Sequence, residues 1–211
     1  MIRFLCISDI HGHADALRKV LAEGKSRGYD QLVACGDHLF PGPAPLETWK
    51  ILVAEKAICV QGLTDAAVAQ IDPTELNPET DDQQARVDAL SQLHDELGEL
   101  IVRRLAQLKT QARLPLESGH EIVFVHGSPV DPTETMAVEM DDDELCSLIG
   151  ADPADMIVCG SSHVPFERKI GEVSIVGVGS VGEAPTPGIA YATILESTSL
   201  GVRVEQFEVE L

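Results

Sequence analysis

Residues 2–13 read Ile-Arg-Phe-Leu-Cys-Ile-Ser-Asp-Ile-His-Gly-His. The apolar run 2–8 is rich in strand formers and stops at Asp9, and the following stretch, 14–27, spaces Leu17, Val20 and Leu21 as a helix does. Strand, polar loop and helix thus follow one another. The pattern then recurs: residues 32–35 are a short apolar run ending in Gly36-Asp37, the Pro-rich stretch 40–45 is a loop, 46–55 has helical spacing, and 57–60 is a third run ending in Gln61-Gly62. Alternating strands and helices predict an α/β fold with helices on the faces of a sheet, in which ligands gather at the carboxyl ends of the strands.

Beyond this frame the chain changes character. Asp72-Pro73 and Asn77-Pro78 break the pattern, Thr80 and Gln83 have the spacing of a capping box, and a helix is expected from about Asp81. Val87, Leu90, Leu93, Leu97, Leu100, Ile101, Leu105 and Leu108 form a stripe at spacings of three and four, with Gly98 as an expected bend. We read 72–115 as a helical insertion within one domain spanning 1–211. Its stripe either packs on that domain or offers a homodimer contact. After Pro115 the pattern turns to strands again: 121–125 ends at His126, 141–149 reads as a capped helix, 156–159 ends at Gly160, and 164–211 is strand-rich enough to suggest a second sheet packed on the first.

The 211 residues carry 35 acids against 15 bases, a formal charge of −20. Residues 72–99 hold nine acids and one base, Arg86, and 131–155 hold nine acids and no base. A surface of that sign repels phosphate backbones, so long nucleic acids are excluded as partners. No run approaches the roughly 20 apolar residues of a membrane span, and the N-terminus lacks the pattern of a secretory signal, so a cytoplasmic protein is expected. Cys6, Cys35, Cys59 and Cys159 sit in the apolar runs and are expected to be reduced core residues.

Four polar groups fall just after predicted strands: Asp9-x-His11, Gly36-Asp37, His126-Gly127-Ser128-Pro129 and Ser162-His163. Carboxylate and imidazole together suit a divalent transition ion such as Mn, Fe, Co, Ni or Zn, and an Asp and a His two apart in extended backbone would point to one side. Each motif alone is weak. Their shared place at strand ends makes a metal site the economical reading.

The order of SDIHG, GD, a Gly-x-x-Asp block, HGSP and a G-x-x-H block resembles the calcineurin-like metallophosphoesterases. The GSVG of residues 179–182, followed by 191–195, is similar to that superfamily's bacterial phosphodiesterase branch. The resemblance implies a two-layer β-sheet sandwich flanked by helices, two metal ions, and hydrolysis of a phosphate ester by metal-activated water. It implies that Asp9, His11, Asp37 and His163 hold a first ion, and that Asp37 and His126 contribute to a second. Here, however, the family's GNHD block reads Gly62-Leu63-Thr64-Asp65 and its GHTH block reads Gly160-Ser161-Ser162-His163. Leu63 offers no donor atom and Ser161 only a neutral hydroxyl. Thr64 replaces a histidine that family members use toward the phosphate or leaving group.

One tight ion and a weak second site are therefore expected. The catalytic candidates are His13, which stands where this branch usually has Asn and would reach the phosphate, Thr64 in place of the family's histidine, and Asp65, which in the family orients that histidine and is expected here to cap the next helix. Two functions stay open: a one-metal phosphoesterase acting on a small mono- or diester, and a catalytically silent binding or regulatory protein on the same fold.

Overall fold

The computed structural model describes residues 2–151, 153–199 and 201–211. Two five-stranded mixed sheets face each other. The first is built from β1 (Arg3–Ile7), β2 (Gln31–Ala34), β3 (Ile58–Cys59), β9 (Ile189–Thr198) and β10 (Gly201–Glu210), in the order β10-β9-β1-β2-β3. The second is built from β4 (Gln111–Pro115), β5 (Glu121–Val125), β6 (Met156–Cys159), β7 (Pro165–Ile170) and β8 (Val173–Val178), in the order β4-β5-β6-β8-β7. In the first sheet β1, β2 and β3 run parallel out to the β3 edge, with β9 antiparallel to β1 and β10 antiparallel to β9; in the second the central β5, β6 and β8 run parallel between antiparallel β4 and β7.

The apolar runs are continuous because the central strands are buried on both faces. Phe4 and Cys6 of β1 point into the sandwich, where the Phe4 and Phe124 rings lie 5.9 Å apart in a tilted pair. Leu5 and Ile7 point the other way, onto α1 (Ala14–Arg27) and α2 (Pro45–Ala54). In the second sheet Ile122 and Phe124 face inward, while Val123 and Val125 meet Leu145 and Ile149 of α5 (Asp142–Ile149).

Two expectations need correction. The tail 164–211 is not a second sheet of its own: β7 and β8 extend the sheet begun by β4–β6, whereas β9 pairs antiparallel with β1 and carries β10 with it. Pairing partners this distant in sequence leave no mark on local periodicity. The segment 72–115 is helical only in part, as a 3₁₀ turn at Pro73–Glu75 and α4 (Asp81–Ala106). Residues 111–115 are strand β4, folded back on β5 through a turn in which Leu116 N donates to His120 O.

Gly98, at φ 70° and ψ 161°, breaks α4 into two helices rather than bending it. The break resets the phase of the stripe, so Leu100 is 71% exposed while Leu90, Leu93, Leu97 and Leu105 are buried with Leu39 and Val68. Val68 belongs to α3 (Leu63–Gln70), and His94 Nε2 donates to the Val68 carbonyl at 2.8 Å, fastening α4 to it. Among the described residues, no helix is long and apolar enough to cross a membrane.

Candidate metal centre

The carboxyl ends of β1, β2, β3, β5, β6 and β8 all open on one edge of the sandwich, and the polar loops after them interlock. Asp9 N donates to Gly36 O, His11 N to Asp37 O, Gly160 N to His126 O, and Gly182 N to Asp9 O. Space here is tight enough to require glycine at two positions. A Cβ on Gly36 would lie 2.5 Å from His126 Nδ1, and one on Gly62 would lie 2.2 Å from Asp37 Oδ1.

Among the described residues six non-glycines adopt left-handed φ, and five of them are Asp9, His11, Asp37, Ser161 and His163. Only Lys56 lies elsewhere. Such conformations cost free energy and cluster where the surrounding structure enforces a functional geometry. They also correct the reading of Asp9-x-His11 as extended backbone: with φ of 52° and 47° both residues sit in a tight turn. What brings the two side chains together is that turn and its bonds to the Gly36–His38 loop.

Two ligand groups converge, Asp9 with His11 and His163, and Asp9 with Asp37 and His126, with the donor atoms of each within 4.8 Å of one another. All three histidines are oriented the same way. His11 Nδ1 donates to Phe40 O at 2.5 Å, His126 Nδ1 to Cys35 O at 2.9 Å, and His163 Nδ1 to Glu183 O at 3.0 Å. A carbonyl can only accept, so each Nδ1 carries the proton and each Nε2 presents a lone pair. His163 Nε2 is 3.2 Å from Asp9 Oδ1, and His126 Nε2 is 3.5 Å from Asp37 Oδ2. His11 Nε2 is 3.9 Å from both Asp9 Oδ1 and Asp37 Oδ2.

Asp9 Oδ1 and His11 Nε2 are buried without any hydrogen-bond partner. Orphaned acceptors that face each other in a dry pocket are unfavourable unless a cation lies between them, and carboxylate with imidazole is a donor set for a divalent transition ion. The residues fit a metal. Burial alone would raise the Asp9 carboxyl, yet the adjacent imidazoles of His163 and His126 hold it below the usual range. Burial pushes Asp37 upward, and the Asp9 carboxylate raises the His163 imidazole.

The remaining candidates fall around these groups. His13 stands at the start of α1, where the Cβ position of Gly182 would be 2.6 Å from its ring edge, and it joins neither ligand group. Leu63 begins α3, 41% exposed. Thr64 donates its main-chain N–H to Asp37 Oδ1 at 2.8 Å, and its hydroxyl is buried without a partner. Asp65 does more than cap a helix: its buried carboxylate accepts from the amides of Gly62, Asp37 and His38 at 2.9, 2.9 and 3.0 Å, tying the β2 loop to α3. Ser161 acts through its backbone, donating N–H to Asp9 Oδ2 at 3.0 Å, while its hydroxyl bonds Thr135 at 2.7 Å. His38 is structural, with Nε2 donating to Val60 O. Cys6, Cys35 and Cys159 are buried, and burial pushes Cys159 up to about 12, so these thiols stay protonated and inert.

The chain matches the calcineurin-like phosphoesterase superfamily domain over residues 2–199. It belongs to that superfamily. The uncharacterized protein MJ0912 of Methanocaldococcus jannaschii is 27% identical over 97% of this chain and 86% of its own length. The hypothetical protein PH1004 of Pyrococcus horikoshii superposes with a TM-score of 0.80 at 21% identity, covering 100% of this chain and 88% of that one. A metallophosphoesterase from Sphaerobacter thermophilus superposes with a TM-score of 0.75 at 23% identity, covering 97% and 87%. Family membership makes this a chain of a metal-dependent phosphoesterase family with candidate ligands in place.

One residue at the edge escaped the sequence reading. Glu183 directly follows the GSVG loop; its carbonyl holds His163 Nδ1, and its Oε2 is 3.6 Å from His11 Nε2. Its adjacency to that loop was the only available signal.

Proposed function

We propose that the chain is a metal-dependent phosphoesterase for a small phosphate ester, with one strong ion position and a weaker second. The observation that carries this reading is the common orientation of His11, His126 and His163, each fixed through Nδ1 so that Nε2 meets the buried carboxylates of Asp9 and Asp37. Asp9, His11 and His163 would hold the strong ion, with Asp37 beside it and His126 on the weaker side. A bound divalent ion supplies Lewis acidity, polarising phosphoryl oxygen and making water acidic near neutral pH.

The chain's own part is to orient and to exclude water. Asp65 holds the amide of Asp37, Thr64 N–H holds Asp37 Oδ1, and Ser161 N–H holds Asp9 Oδ2, so one oxygen of each carboxylate is left to face inward. Cations contribute little. Arg3 Nη1 donates to Arg27 O, and Lys169 pairs with Glu172, so neither of these bases serves the site. Phosphate recognition would rest on the ion, and the acidic surface disfavours long polyanions.

A second reading, a silent binding or regulatory protein, is favoured by the apolar Leu63 and the unpartnered Thr64 hydroxyl at the mouth of the weaker side. Hydrolysis of an aryl phosphodiester with Mn²⁺, compared between wild type and Asp37→Asn, separates the two. The enzyme reading expects slow turnover abolished by Asp37→Asn and by chelation. Tight Mn²⁺ binding without turnover of any mono- or diester would favour the silent protein. Saturating ion at about 100 times Kd should add about 2.7 kcal/mol of stability, and a melting temperature indifferent to Mn²⁺ and chelator would refute the metal site itself.

A further inference from the structure

Glu183 is fixed by main-chain bonds between two ligand loops. Its N–H donates to Ser180 Oγ at 2.7 Å, Ser180 Oγ donates to Asp9 O at 2.9 Å, and Glu183 O accepts from His163 Nδ1 at 3.0 Å. The residue that positions His163 therefore also carries a carboxylate toward His11, at 3.6 Å. That side chain is 40% exposed, whereas Asp9 and His11 are buried.

His11 Nδ1 directs its N–H at Phe40 O, so Nε2 carries the lone pair and faces three carboxylate oxygens, those of Asp9, Asp37 and Glu183, at 3.6 to 3.9 Å. None is near enough to accept a hydrogen bond from it. Lone pairs and anionic oxygens crowding a buried point repel one another unless a cation joins them. Ligands about 2.1 Å from a shared ion stand about 3–4 Å from each other, the separation seen here.

We propose that Glu183 is a ligand of the ion held by Asp9, His11 and His163. The proposal rests on the metal-site reading given above. With Glu183 the set has two carboxylates, which balance a divalent charge without Asp37, and two neutral imidazoles. Its partly exposed carboxylate would lie on the solvent-facing side of the ligand group, where an entering phosphate would meet it.

The test is Mn²⁺ affinity, followed by the electron paramagnetic resonance of the free ion, for wild type, Glu183→Gln, and the exposed control Asp15→Asn. Glu183→Gln leaves the main-chain bonds of the loop in place. We expect its affinity to fall at least 10–100-fold, the range for losing even an outer partner of a metal ligand, with Asp15→Asn within twofold of wild type. Metal-free Glu183→Gln should melt no lower than metal-free wild type, because a repelling carboxylate has gone; a merely structural role would lower it. A Mn²⁺-loaded crystal should place a Glu183 oxygen about 2–2.5 Å from the ion. Equal affinity in wild type and Glu183→Gln, or a Glu183 carboxylate turned away from a bound ion, would overturn the proposal and spare the metal site. A wild type that binds no Mn²⁺ would overturn both.

Discussion

Across the edge of the sandwich the two halves of the site use the same backbone logic with different side chains. On the side made by the loops after β1, β6 and β8, the buried unpartnered Asp9 Oδ1 and His11 Nε2 converge with His163, and Glu183 stands beside them. On the side made by the loops after β2, β3 and β5, Asp37 and His126 are oriented just as carefully, but the residues at the family's other two donor positions are Leu63 and Ser161. Asp37 still receives the amide of Thr64, and His126 still gives Nδ1–H to Cys35 O. If the second ion position is the weaker one, as proposed, then scaffold and ligand set are separable: the half-site keeps its side-chain orientation with fewer donors.

The largest effect should come from giving the poor half its missing donors. Leu63→Asn, Thr64→His and Ser161→His together should add a second tightly held Mn²⁺ and raise aryl phosphodiester hydrolysis by about 10²–10⁴-fold, the range ascribed to a positioned proton donor. Each change alone should do little, because two ions and a donor act as a unit. Ion stoichiometry and rates for the three single variants and the triple variant check this. A triple variant that stays at one ion per chain would show that the half-site geometry has drifted as well, and the contrast between scaffold and ligands would fail.

Asp65 probes the scaffold without touching the ligands. Its carboxylate collects three amides while buried, and hydrogen bonds to charged groups are worth about 1.5–3 kcal/mol each. Asp65→Asn keeps the shape but turns a donor toward one of those amides, and should cost about 3 kcal/mol in urea unfolding with chelator present. Because it holds Asp37 and His38, the damage should fall on the second half of the site. An equal loss of affinity for the tight ion would show that the halves are mechanically one.

Much of this was legible in the sequence because residue type and strand-end position are local signals. Asp9, His11, Asp37, His126 and His163 could be picked out before any contact was known, and the two-layer α/β sandwich was implied by the family resemblance those motifs carry in their order. What stayed hidden depends on partners far along the chain. The pairing of β9 with β1, the recruitment of residues 111–115 into the second sheet, and the three amides on Asp65 all join segments that periodicity treats separately. The left-handed turn at Asp9 and His11 was misread for the same reason: its conformation is imposed by the Gly36–His38 loop. Glu183 was invisible because a carboxylate one residue past a glycine loop looks like any surface acid until His11 is placed opposite it.

The smallest predicted effect bears most directly on where the boundary between the halves lies. Ser161 stands where the second ion would want an imidazole, yet what it gives the site is its main-chain N–H, bound to Asp9 Oδ2 on the strong side. Its hydroxyl is turned to Thr135. Ser161→Ala should therefore leave Mn²⁺ affinity within about twofold and cost about 1 kcal/mol of stability, the ordinary net value of one hydrogen bond. Thr135→Val should cost about the same, and the double variant little more than either, since both remove one bond. If Ser161→Ala instead weakened ion binding tenfold or more, the hydroxyl would have to leave Thr135 for a metal. The weak half of the site would then be rebuilt on oxygen donors rather than impaired.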